Sequence, residues 1–361
     1  MIIAVDGNEA NVRELVGVSV YTYQHLKYMS EVASSERQFK IYLRNPPLDF
    51  LPKENNYYKY VVVKGLFLWS QIFLPLALYL NPSFDVFFAP AHYIPRYCPK
   101  PVVVTIHDLS YFYYPEEFLK KDLYKLTSWT EKAVNRATKI IAVSKNTKKD
   151  ILKYYHPDEA KIEVIYNGYE RKAAKTTQSM PIKKPFILYN GTIQPRKNII
   201  TLIDAFSKFQ RNYPDFNLVL AGKKGWLYEA TLEHIKKLGL SNKISVPGYV
   251  RDEELNYLYK NAFCFVMPSL YEGFGIPVLE AMSHQCPVVS SFASSLPEIG
   301  GEACLYFDPK SSENLYDKLV ELKENPSLRK SLVQKGKERI KIFSWKTCAE
   351  NTIKIIASAV T

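Results

Sequence analysis

The sequence lacks several signals that would assign it to a common protein class. Its five cysteines, among 361 residues, lie far apart, form no Cys-x-x-Cys pair and are odd in number. This argues against a disulfide framework, a zinc knuckle and a thioredoxin-type site, and it suits a reducing cytoplasm. No Gly-x-Gly-x-x-Gly follows the first strand-like run, and Gly-x-Ser-x-Gly is absent, so a dehydrogenase and an α/β-hydrolase are disfavoured.

Signals for secretion and for membrane insertion are also missing. The first ten residues already contain Asp6 and Glu9, which is unlike a secretory signal. The nearest approach to a spanning segment, residues 65–80, is shorter than the roughly 20 apolar residues required and is interrupted by two polar residues and a proline. A buried helix and a helix at a membrane surface both stay open for it, with Trp69, Phe73 and Leu76 expected on one face.

Length, hydrophobic content and charge then describe what is present. With 47% hydrophobic and 23% charged residues the chain can bury ordinary cores, and its length predicts two domains. The 48 basic against 36 acidic residues give a net charge of +12. Such a surplus favours polyanions, namely nucleic acid, anionic lipid or phosphorylated small molecules, but a solvated lysine-rich surface explains the charge equally well.

The hydrophobic pattern predicts an α/β protein. Short β-branched runs alternate with longer amphipathic stretches, as in parallel βαβ units, whose functional loops follow the carboxyl ends of the strands. A polar, basic segment with two prolines, residues 170–185, separates two such series. The sequence therefore predicts two doubly wound domains, 1–170 and 171–344, facing each other across a cleft. A last helix, at about 345–361, is expected to pack back on the first domain.

The most informative motif is the run from Glu272 to Glu280. Two carboxylates eight residues apart straddle a Gly-x-Gly turn and the start of a helix. The free amides of such a turn and the helix dipole attract an anion such as a phosphate. A carboxylate one or two turns into that helix can accept hydrogen bonds from paired hydroxyls, as on a ribose. A plain strand–turn–helix with surface glutamates is the alternative, but the glycines between the carboxylates favour a functional site.

This motif, EGFGIPVLEAM, resembles the E-x7-E signature of retaining GT-B glycosyltransferases of the glycogen-synthase-like group, glycosyltransferase family 4. Other pieces fall in that family's order over nearly the whole chain. They are Gly17-Val-Ser, Thr-Ile-His107-Asp-Leu, Ala-Val-Ser144, Asn167-Gly168, the run from Asn190 to Asn198, Gly248-Tyr-Val and Ser-Ser295-Leu-Pro-Glu298. The resemblance implies a GT-B fold, in which two Rossmann-like domains face each other, with an acceptor-binding first domain and a second domain that binds a nucleotide sugar.

The resemblance also implies the site residues. The implied catalytic residues are His107, Arg196, Lys197 and Glu272. The implied donor-binding residues are Gly17, Gly191, Thr192, Arg196, Lys197, Tyr249, Val250, Glu272, Gly273, Phe274, Gly275, Ile276 and Glu280. The chain has Val16-Gly17 where the family usually has two glycines, which weakens the expected contact between this loop and the diphosphate.

Physical chemistry supports several of these roles. Arg196 and Lys197 precede a helix expected to begin at Asn198, and two cations at a helix start suit a diphosphate. No Asp-x-Asp occurs, so the metal site of the other major transferase fold is missing and no metal or other cofactor is expected. His107 is expected at the end of a buried strand, where by resemblance it contacts the donor sugar. Asp108 is expected to cap the next segment.

Together these observations predict a retaining, metal-independent hexosyltransferase. The resemblance is greatest to GDP-mannose-dependent mannosyltransferases of polysaccharide assembly, with UDP- and ADP-sugars as the alternative donors. The expected partners are a nucleotide sugar, a saccharide or lipid-linked saccharide acceptor and an anionic membrane surface, but not nucleic acid. The expected location is the cytoplasm or the inner face of the cell membrane. A non-enzymatic basic module that binds membranes or nucleic acid is the alternative of another class.

Overall fold

The computed structural model describes residues 1–170 and 179–360 and divides the chain into two compact units. The first unit is Met1–Gly168 together with the C-terminal segment that begins at Ser344, and the second is Tyr169–Phe343. Half of the segment that the sequence suggests as a linker, residues 171–178, lies outside the described residues.

The first unit is built on a parallel sheet with the strand order β3-β2-β1-β4-β5-β6-β7. The strands are β1 (Ile2–Asp6), β2 (Gln38–Leu43), β3 (Tyr58–Val62), β4 (Val86–Ala89), β5 (Val102–Ile106), β6 (Lys139–Ala142) and β7 (Ile162–Val164). The helices before the second unit are α1 (Val18–Glu31), α2 (Phe73–Leu80), α3 (Ser110–Tyr113), α4 (Lys120–Arg136) and α5 (Lys145–Tyr155). The central strands are apolar on both faces because helices cover both sides of the sheet.

The second unit repeats this architecture with the strand order β10-β9-β8-β11-β12-β13. Its strands are β8 (Phe186–Asn190), β9 (Asn217–Ala221), β10 (Ile244–Gly248), β11 (Cys264–Met267), β12 (Val288–Ser291) and β13 (Cys304–Phe307). Its helices are α6 (Ile199–Asn212), α7 (Tyr228–Lys237), α8 (Asp252–Asn261), α9 (Ile276–Ser283), α10 (Leu296–Gly300), α11 (Ser312–Glu324) and α12 (Pro326–Arg339).

The last helix, α13 (Trp345–Ser358), belongs to the first unit. The Ser344 hydroxyl caps it by accepting a hydrogen bond from the Thr347 amide at 3.3 Å. Its inner face meets α1, where the His25 ring is 3.0 Å from the Thr352 hydroxyl and the Tyr28 hydroxyl donates to Glu350 at 2.9 Å.

Strand order locates the functional edge of each sheet. The order reverses between β1 and β4 in the first unit and between β8 and β11 in the second. In open parallel sheets, ligands bind outside the carboxyl ends of the strands at this reversal point. The loops after β1, β4, β8 and β11 are therefore where binding residues are expected.

The apolar segment 65–80 differs from the expected single helix. Only α2 is helical, and Trp69 precedes it in a turn. Leu74 and Leu78 are fully buried, whereas Leu76 is 55% exposed, so the prediction that Trp69, Phe73 and Leu76 share a face is wrong. The cause is local, because Leu68 adopts a positive φ of 53°, which an α-helix cannot continue through. None of the helices in the described ranges has the length and hydropathy to cross a bilayer.

Candidate active site

In the second unit, the loop after β8 carries the two predicted cations. Residues Pro195–Lys197 form a short 3-10 turn that leads into α6. The Arg196 guanidinium donates a hydrogen bond to the Tyr271 carbonyl at 2.7 Å, and the Arg196 carbonyl accepts one from the Leu270 amide at 2.9 Å. Arg196 therefore joins the loop after β8 to the loop after β11, on the two strands that flank the reversal point.

Lys197 and Glu272 form a nearly buried ion pair across the same two loops. The Lys197 Nζ atom lies 2.6 Å from Glu272 Oε1, and their side chains are 15% and 12% exposed. Burial strengthens the attraction between such charges. It also means that removing one partner leaves an unpaired buried charge, which destabilises the folded chain. Beneath them, burial raises the pKa of Tyr189 well above its ordinary value, and the nearby Glu272 carboxylate adds to the rise. The Tyr189 phenol therefore stays neutral, and it donates to the Thr192 carbonyl at 3.0 Å.

Asn198 fixes the start of α6 in a left-handed conformation with φ 57°. Its side-chain amide donates to the Pro268 carbonyl at 3.0 Å and to the Pro309 carbonyl at 2.7 Å. Asparagine tolerates this conformation better than most residues, and its amide can bridge two loops. Asn198 is thus the N-cap of α6, which begins at Ile199, and the helix N-terminus follows both cations in the chain, as the sequence predicts.

The loop from Glu272 to Gly275 is held by two neighbouring serines. The Glu272 amide donates to the Ser294 hydroxyl at 2.8 Å, and the Ser295 hydroxyl donates to the carbonyls of Glu272 and Phe274 at 2.8 and 2.9 Å. Gly275 has φ 107°, and a Cβ atom there would lie 2.7 Å from a Leu296 methyl carbon. A side chain is excluded at Gly275 because of both the backbone conformation and the lack of space. Gly273 and Phe274 lie in this loop, and Ile276 is the first residue of α9.

Glu280 lies in α9 and faces the end of β8. Its Oε2 atom accepts a hydrogen bond from the Tyr259 hydroxyl at 2.9 Å, and the Asn190 amide nitrogen lies 3.5 Å away. Burial raises the pKa of Tyr259 well above its ordinary value, and the Glu280 charge adds to this. Tyr259 was not found from the sequence, because a tyrosine on an amphipathic helix looks like any core residue.

The remaining donor-binding candidates of this unit lie at carboxyl ends of strands. Gly191 and Thr192 follow β8, and Tyr249 and Val250 follow β10. Tyr249 is 58% exposed with the Lys223 ammonium 4.9 Å from its ring centroid, whereas Val250 is buried. The structure therefore places these four residues and the Arg196, Lys197 and Glu272 group in one unit, in segments that follow strands of one sheet.

His107 and Gly17 lie in the first unit. His107 follows β5 directly, and its Nε2–H donates to the Pro90 carbonyl at 2.7 Å. Burial, aided by neighbouring His92, lowers the pKa of His107 to about 3, so the ring is neutral near pH 7. Asp108 accepts a hydrogen bond from the Ser110 amide at 3.0 Å, which closes the turn before α3, but the N-cap position of that helix is Leu109 and not Asp108. Gly17 precedes α1 with φ 52°, a conformation that suits glycine.

The reversal point of the first unit holds a pocket with a volume of about 330 Å³. Asp6 at the end of β1, Glu9 and Arg44 contribute charged groups, and Trp69 and Tyr93 contribute aromatic ones. Burial raises the pKa of Asp6 to about 7, and the nearby Glu9 adds to the rise. Burial also raises the pKa of Glu9. Sequence reasoning used Asp6 and Glu9 only as evidence against a signal peptide and did not identify this pocket.

Comparisons with known families agree with this arrangement. The family described as "Glycosyl transferases group 1" matches residues 170–339, and "Glycosyltransferase Family 4" matches residues 34–172. O-antigen chain mannosyltransferase B of Escherichia coli is 31% identical over 281 residues, covering 74% of this chain and 73% of that protein. O-antigen chain mannosyltransferase RfbU of Salmonella typhimurium is 29% identical over 224 residues, covering 62% of this chain and 61% of that protein.

Solved structures share the fold over the full length. A sucrose-phosphate synthase from Thermosynechococcus elongatus superposes with a TM-score of 0.76 at 17% identity, covering 99% of this chain and 98% of that one. HepE from Anabaena, solved in complex with UDP, gives a TM-score of 0.73 at 17% identity, covering 99% of both chains. These similarities show two Rossmann-like domains of the GT-B type, as the sequence predicts.

Proposed function

The chain belongs to the group 1 glycosyltransferases of family 4, which have the GT-B fold, and from this premise we propose that it transfers mannose from GDP-mannose with retention of configuration. As a member of this family it is a hexosyltransferase, so the non-enzymatic reading is set aside. The donor, the stereochemistry and the independence from metal are the content of the proposal.

The observation that carries the proposal is the pair of cations at the reversal point of the second unit. Arg196 and Lys197 lie at the N-terminus of α6 and are tied to the loop after β11 through Tyr271 and Glu272. A diphosphate gains from fixed cations and from the free amides of a helix start without any reorganisation when negative charge develops. We infer that these groups stabilise the departing nucleoside diphosphate and take the place of a divalent metal.

The sugar and the ribose are assigned to the two glutamates. In the proposal, Glu272 and the amides of Phe274 to Ile276 hold hydroxyls of the donor sugar, while Glu280 accepts from the ribose hydroxyls. The Glu280 carboxylate is already oriented by Tyr259 and Asn190 before a ribose binds. A positioned acceptor loses less rotational freedom when a ligand binds.

In the proposed chemical step, no protein side chain acts as the nucleophile. The acceptor hydroxyl forms a bond to the anomeric carbon on the face from which the diphosphate leaves, as the bond from that carbon to the diphosphate breaks. The hydroxyl proton passes to the departing phosphate oxygen. His107, which is neutral near pH 7, contacts the sugar by hydrogen bonding and does not supply the proton.

Mannose is favoured by the relatives, two of which are named O-antigen chain mannosyltransferases. UDP- and ADP-sugars are the alternative donors, since discrimination between nucleotide sugars depends on few pocket contacts. We further propose that the acceptor is a saccharide or lipid-linked saccharide, received in the first unit by the pocket with Asp6, Glu9 and Trp69. Carboxylates, amides and aromatic rings together suit a polyhydroxylated ring. A lipid-linked acceptor would make this a cytoplasmic enzyme that works at the inner face of the membrane.

The test is release of nucleoside diphosphate by purified protein in excess EDTA, across GDP-mannose, UDP-glucose, UDP-N-acetylglucosamine and ADP-glucose. We expect GDP release from GDP-mannose, lowered by about 100- to 1000-fold in Arg196→Ala. The matched control is Lys208→Ala, since Lys208 pairs with Glu313 on the surface of the same unit. Release of UDP or ADP instead would move the proposal to the alternative donors, and dependence on added metal would overturn metal independence.

A further inference from the structure

Apart from Trp69 and Ser70, which line the proposed acceptor pocket, α2 and the turn before it have no part in the proposed chemistry. We define the apolar ridge as the large hydrophobic side chains of this segment that are at least half exposed. They are Leu66 (73%), Phe67 (86%), Leu68 (50%), Ile72 (50%), Leu76 (55%), Tyr79 (70%) and Leu80 (74%). Scattered exposed apolar side chains are ordinary, but seven within fifteen consecutive positions form a patch of the kind that marks an interaction surface.

The ridge is held rigidly from beneath. The Trp69 side chain is buried, and its indole N–H donates to the Val63 carbonyl at 2.6 Å. The Leu68 carbonyl accepts from the amides of Gln71 and Ile72 at 2.8 and 2.9 Å, so the turn is closed by backbone hydrogen bonds. Leu68 itself has φ 53°, an unfavourable conformation for leucine that the surrounding contacts must maintain. The exposure of Leu66 and Phe67 is therefore built into the fold.

Positive charge borders the ridge at both ends. No aspartate or glutamate occurs from Lys64 through Phe84. Lys64 is exposed at the start of the ridge, and the exposed Arg44 reaches it by donating from Nε to the Gly65 carbonyl at 2.8 Å. Beyond α2, the Lys40 ammonium donates to the Ser83 carbonyl at 2.8 Å. An apolar centre with a cationic border complements a bilayer whose surface is anionic.

We propose that the apolar ridge docks the first unit onto an anionic phospholipid bilayer, with the ridge side chains in the headgroup–acyl boundary and Arg44, Lys64 and Lys40 beside the lipid phosphates. Helix α2 has eight residues and is about 12 Å long, so it lies at the surface and cannot span the bilayer. Phe67 and Tyr79 supply the aromatic side chains that favour this boundary.

A second copy of the chain is the competing occupant, and charge disfavours it. In a two-fold symmetric interface each patch meets its own copy, so the cationic borders would face each other. Like charges opposed at an interface oppose association. An anionic bilayer instead gains from the same arrangement. This inference uses neither the identity of the donor nor that of the acceptor, so it does not depend on the proposed function.

The test is co-sedimentation of the full chain with vesicles of phosphatidylcholine, with and without phosphatidylglycerol, at low and high salt. We expect binding that needs phosphatidylglycerol and weakens with salt. The variant Leu66→Ser/Phe67→Ser/Leu76→Ser should bind at least about 100-fold more weakly, because each replaced side chain loses much of its transfer into the boundary. Lys64→Gln should lower binding about fivefold. The matched control is Ile342→Ser, an equally exposed apolar residue of the second unit, which should bind like the wild type.

Three results would overturn the proposal. One is no binding to phosphatidylglycerol vesicles even at low salt. Another is binding that the triple variant retains. The third is a concentration-dependent dimer, seen by light scattering, that the triple variant disperses, because a second copy would then cover the ridge. The triple variant should have the same melting temperature as the wild type. If it does not, the single variant Phe67→Ser replaces it in the binding assay. Donor cleavage in solution should be unchanged in the triple variant and in Phe67→Ser, which separates membrane docking from catalysis.

Discussion

The charged side chains at the reversal point have different partners in the two units. In the second unit, Lys197 and Glu272 neutralise each other, and Arg196 is fixed on a backbone carbonyl. In the first unit, Asp6 is half-buried and Glu9 is exposed, and Glu9 lies close enough to Asp6 to raise the pKa of its carboxyl group. One sheet thus presents an internally paired group, and the other presents one carboxyl group, Asp6, whose pKa is about 7. In the proposed function, the second unit binds the diphosphate and the first unit binds the hydroxyl-rich acceptor.

The largest expected effect comes from breaking the buried pair. Lys197→Met or Glu272→Gln alone should lower the free energy of unfolding by about 3 kcal/mol, because each leaves the other group without its partner in a site that water hardly reaches. The double variant should regain much of that stability, as measured by denaturant unfolding, while turnover stays at least about 100-fold low. Additive losses of stability would show that the two side chains are not coupled, and the contrast between the units would fail.

The next effect tests the loop that carries Glu272. Gly275→Ala should destabilise the chain by about 2 kcal/mol, since alanine is strained at φ 107° and its Cβ would lie 2.7 Å from Leu296. Gly239→Ala is the matched control, because Gly239 also has a positive φ, 70°, but nothing lies within 4 Å of a Cβ there. We expect the control to lose only about 1 kcal/mol. Equal losses would mean that crowding against Leu296 has no effect.

In the first unit, Asp6 should make the stability of the chain depend on pH. Its carboxyl has a raised pKa of about 7 in the folded chain, against 3.8 ordinarily, so folding favours the protonated form. The stability it contributes is present below about pH 4 and is lost as pH rises through about 7. Asp6→Asn should remove a pH-dependent loss of about 1–2 kcal/mol over that window, measured by thermal unfolding, which is less than the full pKa shift implies because Asp6 is partly exposed to water. Unchanged pH dependence would place Asp6 in ordinary contact with water.

In transfer assays, the same Asp6→Asn variant should lose acceptor glycosylation and keep donor hydrolysis. If donor hydrolysis is lost as well, the proposal that this pocket binds the acceptor is wrong.

The smallest effect concerns Glu280. Tyr259→Phe removes the hydroxyl that donates to Glu280 at 2.9 Å, a loss of about 1 kcal/mol. We expect the KM for the donor to rise about fivefold with kcat nearly unchanged, because the carboxylate is less well positioned for the ribose. Tyr213→Phe is the control, since the Tyr213 hydroxyl donates to Glu324 at the same distance on the exposed surface. A changed kcat with unchanged KM would argue against the ribose role of Glu280.

Much of the fold follows from local sequence patterns. The strand from Ile2 and the helix from Ser144 follow from a β-branched run and from a serine cap, both of which act within a few residues. The loops at Arg196 and Glu272 also follow, because parallel strands bring their carboxyl ends to one edge. The family and the GT-B fold were predicted from the order of such motifs, and the comparisons confirm them.

What the sequence could not provide depends on distant contacts. Nothing near Lys197 indicates that its ammonium meets Glu272, 75 positions away. The hydroxyls of Tyr259 and Ser294 likewise find their partners only once the sheet has formed. The face of the 65–80 segment was predicted wrongly because hydrophobicity alone does not reveal a left-handed turn at Leu68. The residue-by-residue roles at the site stay predictions until the variants above are measured.

The position of α13 has a consequence for how the protein is made. Helix α13 packs in the first unit, but the ribosome synthesises it only after the whole of the second unit has been translated. The nascent second unit can therefore complete its core while the first still lacks the helix that covers His25 and Tyr28. We expect removal of residues from Trp345 onward to destabilise the sheet of the first unit and to spare the sheet of the second unit. Limited proteolysis of the shortened chain would show which of the two persists.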